Sequence, residues 1–129
     1  MMMKRKHVLL IDDNEIDNYI SKHIVTKSQM AEKVSVKGSA VEALEYLQSL
    51  KGNPDEFPDF IFLDIRMPKM DGFGFLEEFN KFPQAINNQC SVAMLTSSSD
   101  QGDIDRAMQY AVVKKYLTKP LSLEKLESI

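Results

Sequence analysis

Several short apolar runs in this chain each end at a polar or charged residue, and this pattern strongly constrains the fold. The runs are Val8–Ile11, Phe60–Leu63, Val92–Leu95 and Tyr116–Thr118. The residues that follow them are, in the same order, Asp12 with Asp13, Asp64, Thr96, and Lys119. If the runs lie side by side as parallel strands, these side chains meet at one edge of the sheet.

Amphipathic segments alternate with the apolar runs, which indicates a repeated strand-then-helix order. The predicted strands cover residues 7–11, 34–36, 60–63, 91–96 and 112–117. The first predicted helix follows Asn14 as its N-cap. The second carries the Val41, Leu44, Leu47 and Leu50 stripe and ends at Gly52, and the third runs from 72 to 82 before Pro83. The fourth includes Ile104 to Met108, and the last starts near Leu121. Strands that are apolar throughout are buried on both faces, so we predict a doubly wound α/β fold with a five-stranded parallel sheet.

The chemistry of the predicted edge indicates phosphoryl transfer. Asp12, Asp13 and Asp64 would bring three carboxylates together, and two such charges about 4 Å apart repel by roughly 4 kcal/mol at an effective dielectric constant of about 20. The ammonium of Lys119 and a divalent cation would offset this repulsion. Carboxylate oxygens favour Mg²⁺, and an ionised aspartate beside that cation is able to attack phosphorus.

Composition and charge disfavour several other classes of protein. The chain has 129 residues, of which 43% are hydrophobic and 27% charged, and its formal net charge is −3. These values are typical of one globular domain, and the acidic balance argues against nucleic-acid and anionic-membrane binding. Cys90 is the only cysteine, so a disulfide framework is excluded and a cytoplasmic location fits. The basic start of the chain lacks the apolar segment of a signal peptide.

The sequence resembles the receiver domains of two-component response regulators, and is similar to the stand-alone chemotaxis-regulator type. The matching blocks are Val8–Asn14, Phe62–Pro68 with Met70–Gly72, Met94–Ser97 and Tyr116–Pro120. They occur in the family's order and cover almost the whole chain. The resemblance implies a flavodoxin-like fold with strand order 2-1-3-4-5. We expect residues 4–129 to form a single receiver domain with no output domain.

The same resemblance implies a role for each residue at the predicted edge. Asp64 would be the phosphoacceptor, and Lys119 would contact the phosphoryl group. The implied Mg²⁺ ligands are Asp13, Asp12 mainly through water, Asp64, and the backbone carbonyl of Arg66. The bond between Lys119 and Pro120 resembles the cis peptide of the family.

Thr96 and Tyr116 are expected to form the switch. The Thr96 hydroxyl would donate a hydrogen bond to the phosphoryl group and draw its loop inward, and Tyr116 would turn inward as Thr96 moves. The family implies a sensor histidine kinase or a histidine phosphotransfer protein as the donor. The output face would bind an unidentified downstream protein, without direct contact with nucleic acid or membrane.

Two further positions are expected to tune the lifetime of the phosphoryl group. They are Arg66, two residues after Asp64, and Ser98, two residues after Thr96. We expect Arg66 to reach an acidic neighbour such as Glu15, or to screen the phosphoryl group from water.

The two histidines and Cys90 are expected to be structural. His7 is predicted to lie where the sheet begins and to face solvent. His23 is predicted to be a packing or surface residue of the first helix, because no second histidine or base accompanies it. Cys90 is predicted to be a small buried apolar residue.

Three alternative functions stay open on the sequence. A Mg²⁺-dependent phosphatase of the haloacid-dehalogenase type needs a second acid two residues after its aspartate, where this chain has Arg66. A flavodoxin needs a Ser/Thr/Gly-rich phosphate loop after its first strand, where this chain has the acidic segment 12–15. A receiver that binds partners without ever being phosphorylated would not need the complete set of site residues found here. We therefore expect a signalling protein that catalyses its own phosphorylation and dephosphorylation, and not an enzyme acting on other substrates.

Overall fold

Five parallel strands form one sheet in the computed structural model, which describes residues 4–129. The strands are β1 (Arg5–Ile11), β2 (Ala31–Lys37), β3 (Phe60–Leu63), β4 (Ser91–Thr96) and β5 (Val113–Thr118). Their spatial order is β2-β1-β3-β4-β5, which confirms the predicted flavodoxin-like topology. The prediction of 34–36 for β2 is too short, because exposed residues such as Glu32 and Lys33 belong to the strand without showing an apolar pattern.

Six helices within the described residues connect and cover these strands. They are α1 (Glu15–Ser28), α2 (Ala40–Ser49), α3 (Gly72–Phe79), α4 (Gln84–Gln89), α5 (Gln101–Met108) and α6 (Leu123–Glu127). All except α4 start after a side chain that accepts a hydrogen bond from a backbone N–H of the first turn, namely Asn14, Ser39, Asp71, Asp100 and Ser122. Such caps satisfy N–H groups that have no partner inside the helix. None of the helices found in residues 4–129 has the length and apolar character needed to cross a membrane.

The central strands β1, β3 and β4 are buried on both faces over most of their length, as their apolar runs predict. In β1, Leu9 and Ile11 belong to the core cluster that α2, α3 and α5 cover, whereas Val8 and Leu10 belong to the cluster that α1 and α6 cover. Successive side chains of a strand point to opposite faces, so a strand between two helical layers must be apolar at every position.

The pairing of β1 with β3 determines where the site lies. Ile11 pairs with Leu63, and the backbone N–H of Asp64 donates to the carbonyl oxygen of Ile11 at 3.1 Å. Asp12 and Asp64 therefore leave adjacent strands at the same level. The chain crosses to opposite sides of the sheet on leaving these two strands, and ligands of this fold class bind at such a switch point.

Two helix ends differ from the predictions. The helix predicted for 72–82 ends at Phe79, and the separate helix α4 follows Pro83. None of the residues of α4 is buried, so its sequence has no apolar stripe that would have indicated a helix. Gly52 is not the stop of α2, because that helix ends at Ser49 and Gly52 lies in the following turn.

The prediction that His7 faces solvent is wrong. His7 is the third residue of β1 and is 2% exposed. Its Nδ1 lies 2.8 Å from the carbonyl oxygen of Glu56, and its Nε2 lies 2.7 Å from the Ser35 hydroxyl. The strand starts at Arg5, three residues before the apolar run, so His7 lies within the strand and on the same face as Leu9 and Ile11. The prediction for Cys90 is confirmed, because its side chain is buried.

Candidate functional site

Asp64 lies directly after β3 and is only 6% exposed. Its Oδ1 accepts a hydrogen bond from the backbone N–H of Ile65 at 2.8 Å, and its Oδ2 accepts one from Nζ of Lys119 at 3.1 Å. These two donors hold the carboxylate in one orientation at the carboxyl edge of the sheet.

Asp12 and Asp13 follow β1 and face the same edge. One carboxylate oxygen from each of Asp12, Asp13 and Asp64 lies within 4.8 Å of the other two. Asp12 is 6% exposed, whereas Asp13 is open to solvent. Burial raises the pKa of Asp12 above its ordinary value, the charge of Asp64 adds to that effect, and Lys119 opposes it. The structure thus brings together the three acids that the sequence singled out.

Lys119 supplies the positive charge of this edge. Its Nζ lies 2.7 Å from Oδ2 of Asp12, 2.7 Å from Oδ2 of Asp17 and 3.1 Å from Oδ2 of Asp64. Burial alone would lower the pKa of Lys119, but the three carboxylate partners outweigh it and raise the pKa above its ordinary value. The amine is therefore an ammonium at neutral pH. The predicted cis bond between Lys119 and Pro120 is present.

Thr96 and Tyr116 approach each other through the loop that follows β4. Thr96 is fully buried, and its Oγ1 accepts a hydrogen bond from the backbone N–H of Ser98 at 3.3 Å. The Tyr116 hydroxyl donates to the carbonyl oxygen of Ser98 at 2.9 Å. Burial raises the pKa of Tyr116, which keeps the hydroxyl protonated as a donor. Ser98 therefore connects the two residues predicted to form the switch.

The arrangement of these residues matches a known family. Residues 8–129 match the family described as the response regulator receiver domain. The chain belongs to this family. Part of the sensor histidine kinase CheAY of Helicobacter pylori is 34% identical to this receiver over 122 residues, which cover 95% of the receiver and 14% of the kinase. The receiver thus spans a small share of that relative's length.

Solved structures show the same receiver fold. The two-component response regulator from Cytophaga hutchinsonii is 30% identical, with a TM-score of 0.90 over 97% of this receiver and 93% of that chain. The Mn²⁺-bound form of the response regulator Rcp1 is 26% identical, with a TM-score of 0.75 over 95% of this receiver and 87% of that chain.

The acidic cluster of this receiver fits a hard divalent cation. All three candidate ligands are carboxylates, and the side chain of Asp13 is open to solvent, which gives a cation a way in. Oxygen ligands of this kind suit Mg²⁺ or Mn²⁺ and leave room for water in the coordination sphere. Bound between these acids, a divalent cation would reduce their mutual repulsion.

Arg66 has a different acidic partner from the one expected. Its Nη2 lies 3.1 Å from Oδ2 of Asp103, in the first turn of α5, and not beside Glu15. The same Asp103 oxygen accepts a hydrogen bond from the Ser98 hydroxyl at 2.8 Å. The two predicted modulators, Arg66 and Ser98, therefore meet at one carboxylate. Sequence spacing did not show this, because the loop after β3 and the start of α5 are brought together only by packing.

Two acids near the site, Asp17 and Asp103, were not predicted from the sequence. Both lie in the first turn of a helix that follows a loop at the carboxyl edge of the sheet. Acids are common in that position because they interact favourably with the helix dipole, so their type and place gave no specific signal. The available clue was their proximity in sequence to Asp12 and Thr96.

Proposed function

We propose that Asp64 accepts a phosphoryl group from a phosphohistidine donor in a Mg²⁺-dependent reaction. Receiver domains are phosphorylation-switched signalling modules, and the proposal assigns the steps to the residues of this chain. A carboxylate oxygen of Asp64 would form a bond to phosphorus as the bond between phosphorus and the donor's imidazole nitrogen breaks. The imidazole leaves with its electron pair, and the product is an aspartyl phosphate.

The placement of Asp64 supports this proposal most strongly. Its carboxylate lies beside the Lys119 ammonium at 3.1 Å and within 4.8 Å of oxygens of Asp12 and Asp13. Phosphoryl transfer depends mainly on positioning and on neutralising charge at the transferred group. Lys119 would donate to a phosphoryl oxygen, since its position next to Asp64 leaves only a short distance to that group.

The proposed Mg²⁺ ligands are the carboxylates of Asp13, Asp12 (mainly through water) and Asp64, with the backbone carbonyl of Arg66. When bound, the cation would supply positive charge to the phosphoryl oxygens. Asp12 and Asp13 would hold the cation next to Asp64. Lys119, which contacts both Asp12 and Asp64, would add a second positive charge for the transferred group.

Thr96 and Tyr116 would report the modification to the rest of the molecule. The Thr96 hydroxyl gains a phosphoryl acceptor only when Asp64 is modified, and a contact that exists in one state alone shifts the equilibrium toward that state. Movement of the Thr96 loop would also move Ser98, whose carbonyl oxygen accepts the hydrogen bond from Tyr116. The surface around α5 and β5 would change with it.

The proposed donor is a sensor histidine kinase or a histidine phosphotransfer protein, and the proposed target is another protein. Neither nucleic acid nor membrane is proposed as a direct partner, because the chain carries a net charge of −3. The cytoplasmic location stays a prediction.

The alternatives are not favoured by the family assignment. Arg66 occupies the place of the acid that a haloacid-dehalogenase phosphatase needs, and its guanidinium pairs with Asp103. The loop after β1 is acidic, which disfavours a flavin phosphate. A receiver that is never phosphorylated stays distinguishable by experiment.

Intact-mass measurement after incubation with acetyl phosphate and Mg²⁺ tests the proposal. We expect the mass to rise by one phosphoryl group, and Asp64→Asn or chelation of Mg²⁺ should prevent the rise. Asp55→Asn is the matched control, because Asp55 is an exposed acid in the loop before β3. Uptake by Asp64→Asn equal to that of the wild type would refute the assignment. No uptake by any variant would favour the unphosphorylated receiver, and repeated turnover of p-nitrophenyl phosphate would favour the phosphatase.

A further inference from the structure

Asp17 contacts Lys119, but Asp17 has no role in the proposed phosphoryl transfer so far. Oδ2 of Asp17 lies 2.7 Å from Nζ of Lys119, although the two residues are 102 positions apart in sequence. The Asp17 side chain is 31% exposed and the Lys119 side chain 15%. An ion pair that is this far withdrawn from solvent is screened less than one on the open surface.

Lys119 pairs with three carboxylates and donates hydrogen bonds to two of them. Its Nζ donates to Oδ2 of Asp17 and to Oδ2 of Asp64, whereas Asp12 is an ion-pair partner at 2.7 Å. Asp12 and Asp64 also belong to the cluster of candidate metal ligands, whereas Asp17 does not. Asp17 is therefore the one carboxylate partner of Lys119 without a second proposed role.

The contacts of Lys119 with Asp12 and Asp64 would be weakened during the proposed reaction. Asp64, and Asp12 mainly through water, would also hold a divalent cation, whose charge would compete with Lys119 for these carboxylates. After phosphoryl transfer, Asp64 also carries a new bond on one carboxylate oxygen and loses its negative charge at that carboxyl group. Both changes leave the carboxylate of Asp17 as an unaltered anchor for the ammonium.

We propose that Asp17 is a positioning residue, which holds the Lys119 ammonium beside Asp64 while Asp12 and Asp64 engage the metal and the phosphoryl group. This inference rests on the proposed function of Asp64. Asp17 does not touch the reacting atoms and acts only through Lys119. It places the amine so that one N–H is directed at the phosphoryl oxygens.

Phosphorylation rates of variants test this role. At saturating Mg²⁺ and with acetyl phosphate as donor, Asp17→Asn should be phosphorylated about fivefold more slowly than the wild type, which is the scale expected for losing a partly exposed ion pair. Asp17→Glu keeps a carboxylate within reach and should restore most of the rate. Glu15→Gln is the matched control, because Glu15 is an exposed acid in the same helical turn and should leave the rate unchanged.

The reactivity of Lys119 gives a second measurement that needs no phosphodonor. Acetylation by an N-hydroxysuccinimide ester, quantified at Lys119 by peptide mass spectrometry, reports how firmly the amine is held. We expect Asp17→Asn to increase this reactivity severalfold with Mg²⁺ present and less without Mg²⁺, because Asp12 and Asp64 still hold the amine in the metal-free protein. Thermal unfolding shows whether each variant is folded.

The outcomes separate this inference from the proposed function. If Asp17→Asn matches Glu15→Gln in rate, or slows phosphorylation without exposing Lys119 in the presence of Mg²⁺, Asp17 has no positioning role. If the wild type takes up no phosphoryl group, the proposed function fails. The acetylation experiment then still decides whether Asp17 holds Lys119.

Discussion

Gly72 packs against the backbone carbonyl of Asp64 so closely that no side chain fits between them. A Cβ atom on Gly72 would overlap the Asp64 carbonyl oxygen and would lie 3.0 Å from Cα of Ile65. The backbone N–H of Gly72 also donates to the carbonyl oxygen of Ile65 at 2.8 Å. The start of α3 thus directly supports the backbone that carries the proposed phosphoacceptor.

A methyl group at position 72 should disturb both stability and the site. We expect Gly72→Ala to reduce the free energy of unfolding by about 1–3 kcal/mol, because the clash is with backbone that has little freedom to move. Urea denaturation measures this, and the phosphorylation rate should fall with it. Gly52→Ala is the control, since a Cβ there meets nothing within 4 Å. Equal stability of the two variants would contradict the close packing.

Thr96 should be needed for the response to phosphorylation more than for phosphorylation itself. Thr96→Ala removes the buried hydroxyl that is proposed to bind the phosphoryl group. We expect this variant still to accept phosphate, but to show much smaller amide chemical-shift changes in the loop after β4 on adding beryllofluoride. Thr118→Ala tests the neighbouring position, because Thr118 pairs with Thr96 in the sheet yet is exposed. A full response in Thr96→Ala would remove Thr96 from the switch.

Arg66 should slow the loss of the phosphoryl group. Its side chain is 72% exposed and is held by Asp103 across the opening between the loop after β3 and α5. Removing the guanidinium should give water easier access to the phosphoryl group on Asp64, so we expect Arg66→Gln to raise the dephosphorylation rate severalfold. The effect on unfolding should be under about 1 kcal/mol, as for other exposed ion pairs. Lys69→Gln, an exposed cation in the same loop, provides the comparison, and identical decay rates for the two variants would exclude the role of Arg66.

The buried His7 should make stability depend on pH. Burial is the largest cause of its lowered pKa, so the unfolded chain takes up a proton near the ordinary value of 6.5 and the folded protein takes it up only at a lower pH. The contribution of His7 to the free energy of unfolding is therefore fully present above that ordinary value. It falls as the pH drops below that value, by at most about 1.4 kcal/mol per pH unit. Urea denaturation between pH 7.5 and 5.5 should show a smaller slope for His7→Gln. His23→Gln changes an exposed histidine and should keep the wild-type slope; if both variants keep it, the effect does not come from His7.

The acids at the strand ends could be predicted because strand and loop are adjacent in sequence. An apolar run followed by Asp64 has one placement in a parallel sheet, and the same holds for Asp12. The partner of Arg66 could not be predicted in this way. Its contact with Asp103 depends on how far α5 lies from the loop after β3, and that distance is decided by side-chain packing between elements.

The helix bounds and the burial of His7 also differ in whether the local sequence could predict them. Asn14 could be recognised as a cap because its hydrogen bond to the Asp17 N–H spans three residues. The short helix α4 and the burial of His7 have no local signal, since each depends on neighbours that are distant in the chain.

The sequence by itself determined the parallel α/β fold, its strand order through the family resemblance, and the acids, hydroxyl and lysine at one edge of the sheet. The tertiary structure decided which charges meet there, above all that Lys119 contacts Asp17 in addition to Asp12 and Asp64. The physical reason is range: the pattern of apolar residues acts along a single strand or helix, whereas an ion pair needs two side chains placed within a few ångströms by the packing of the whole domain.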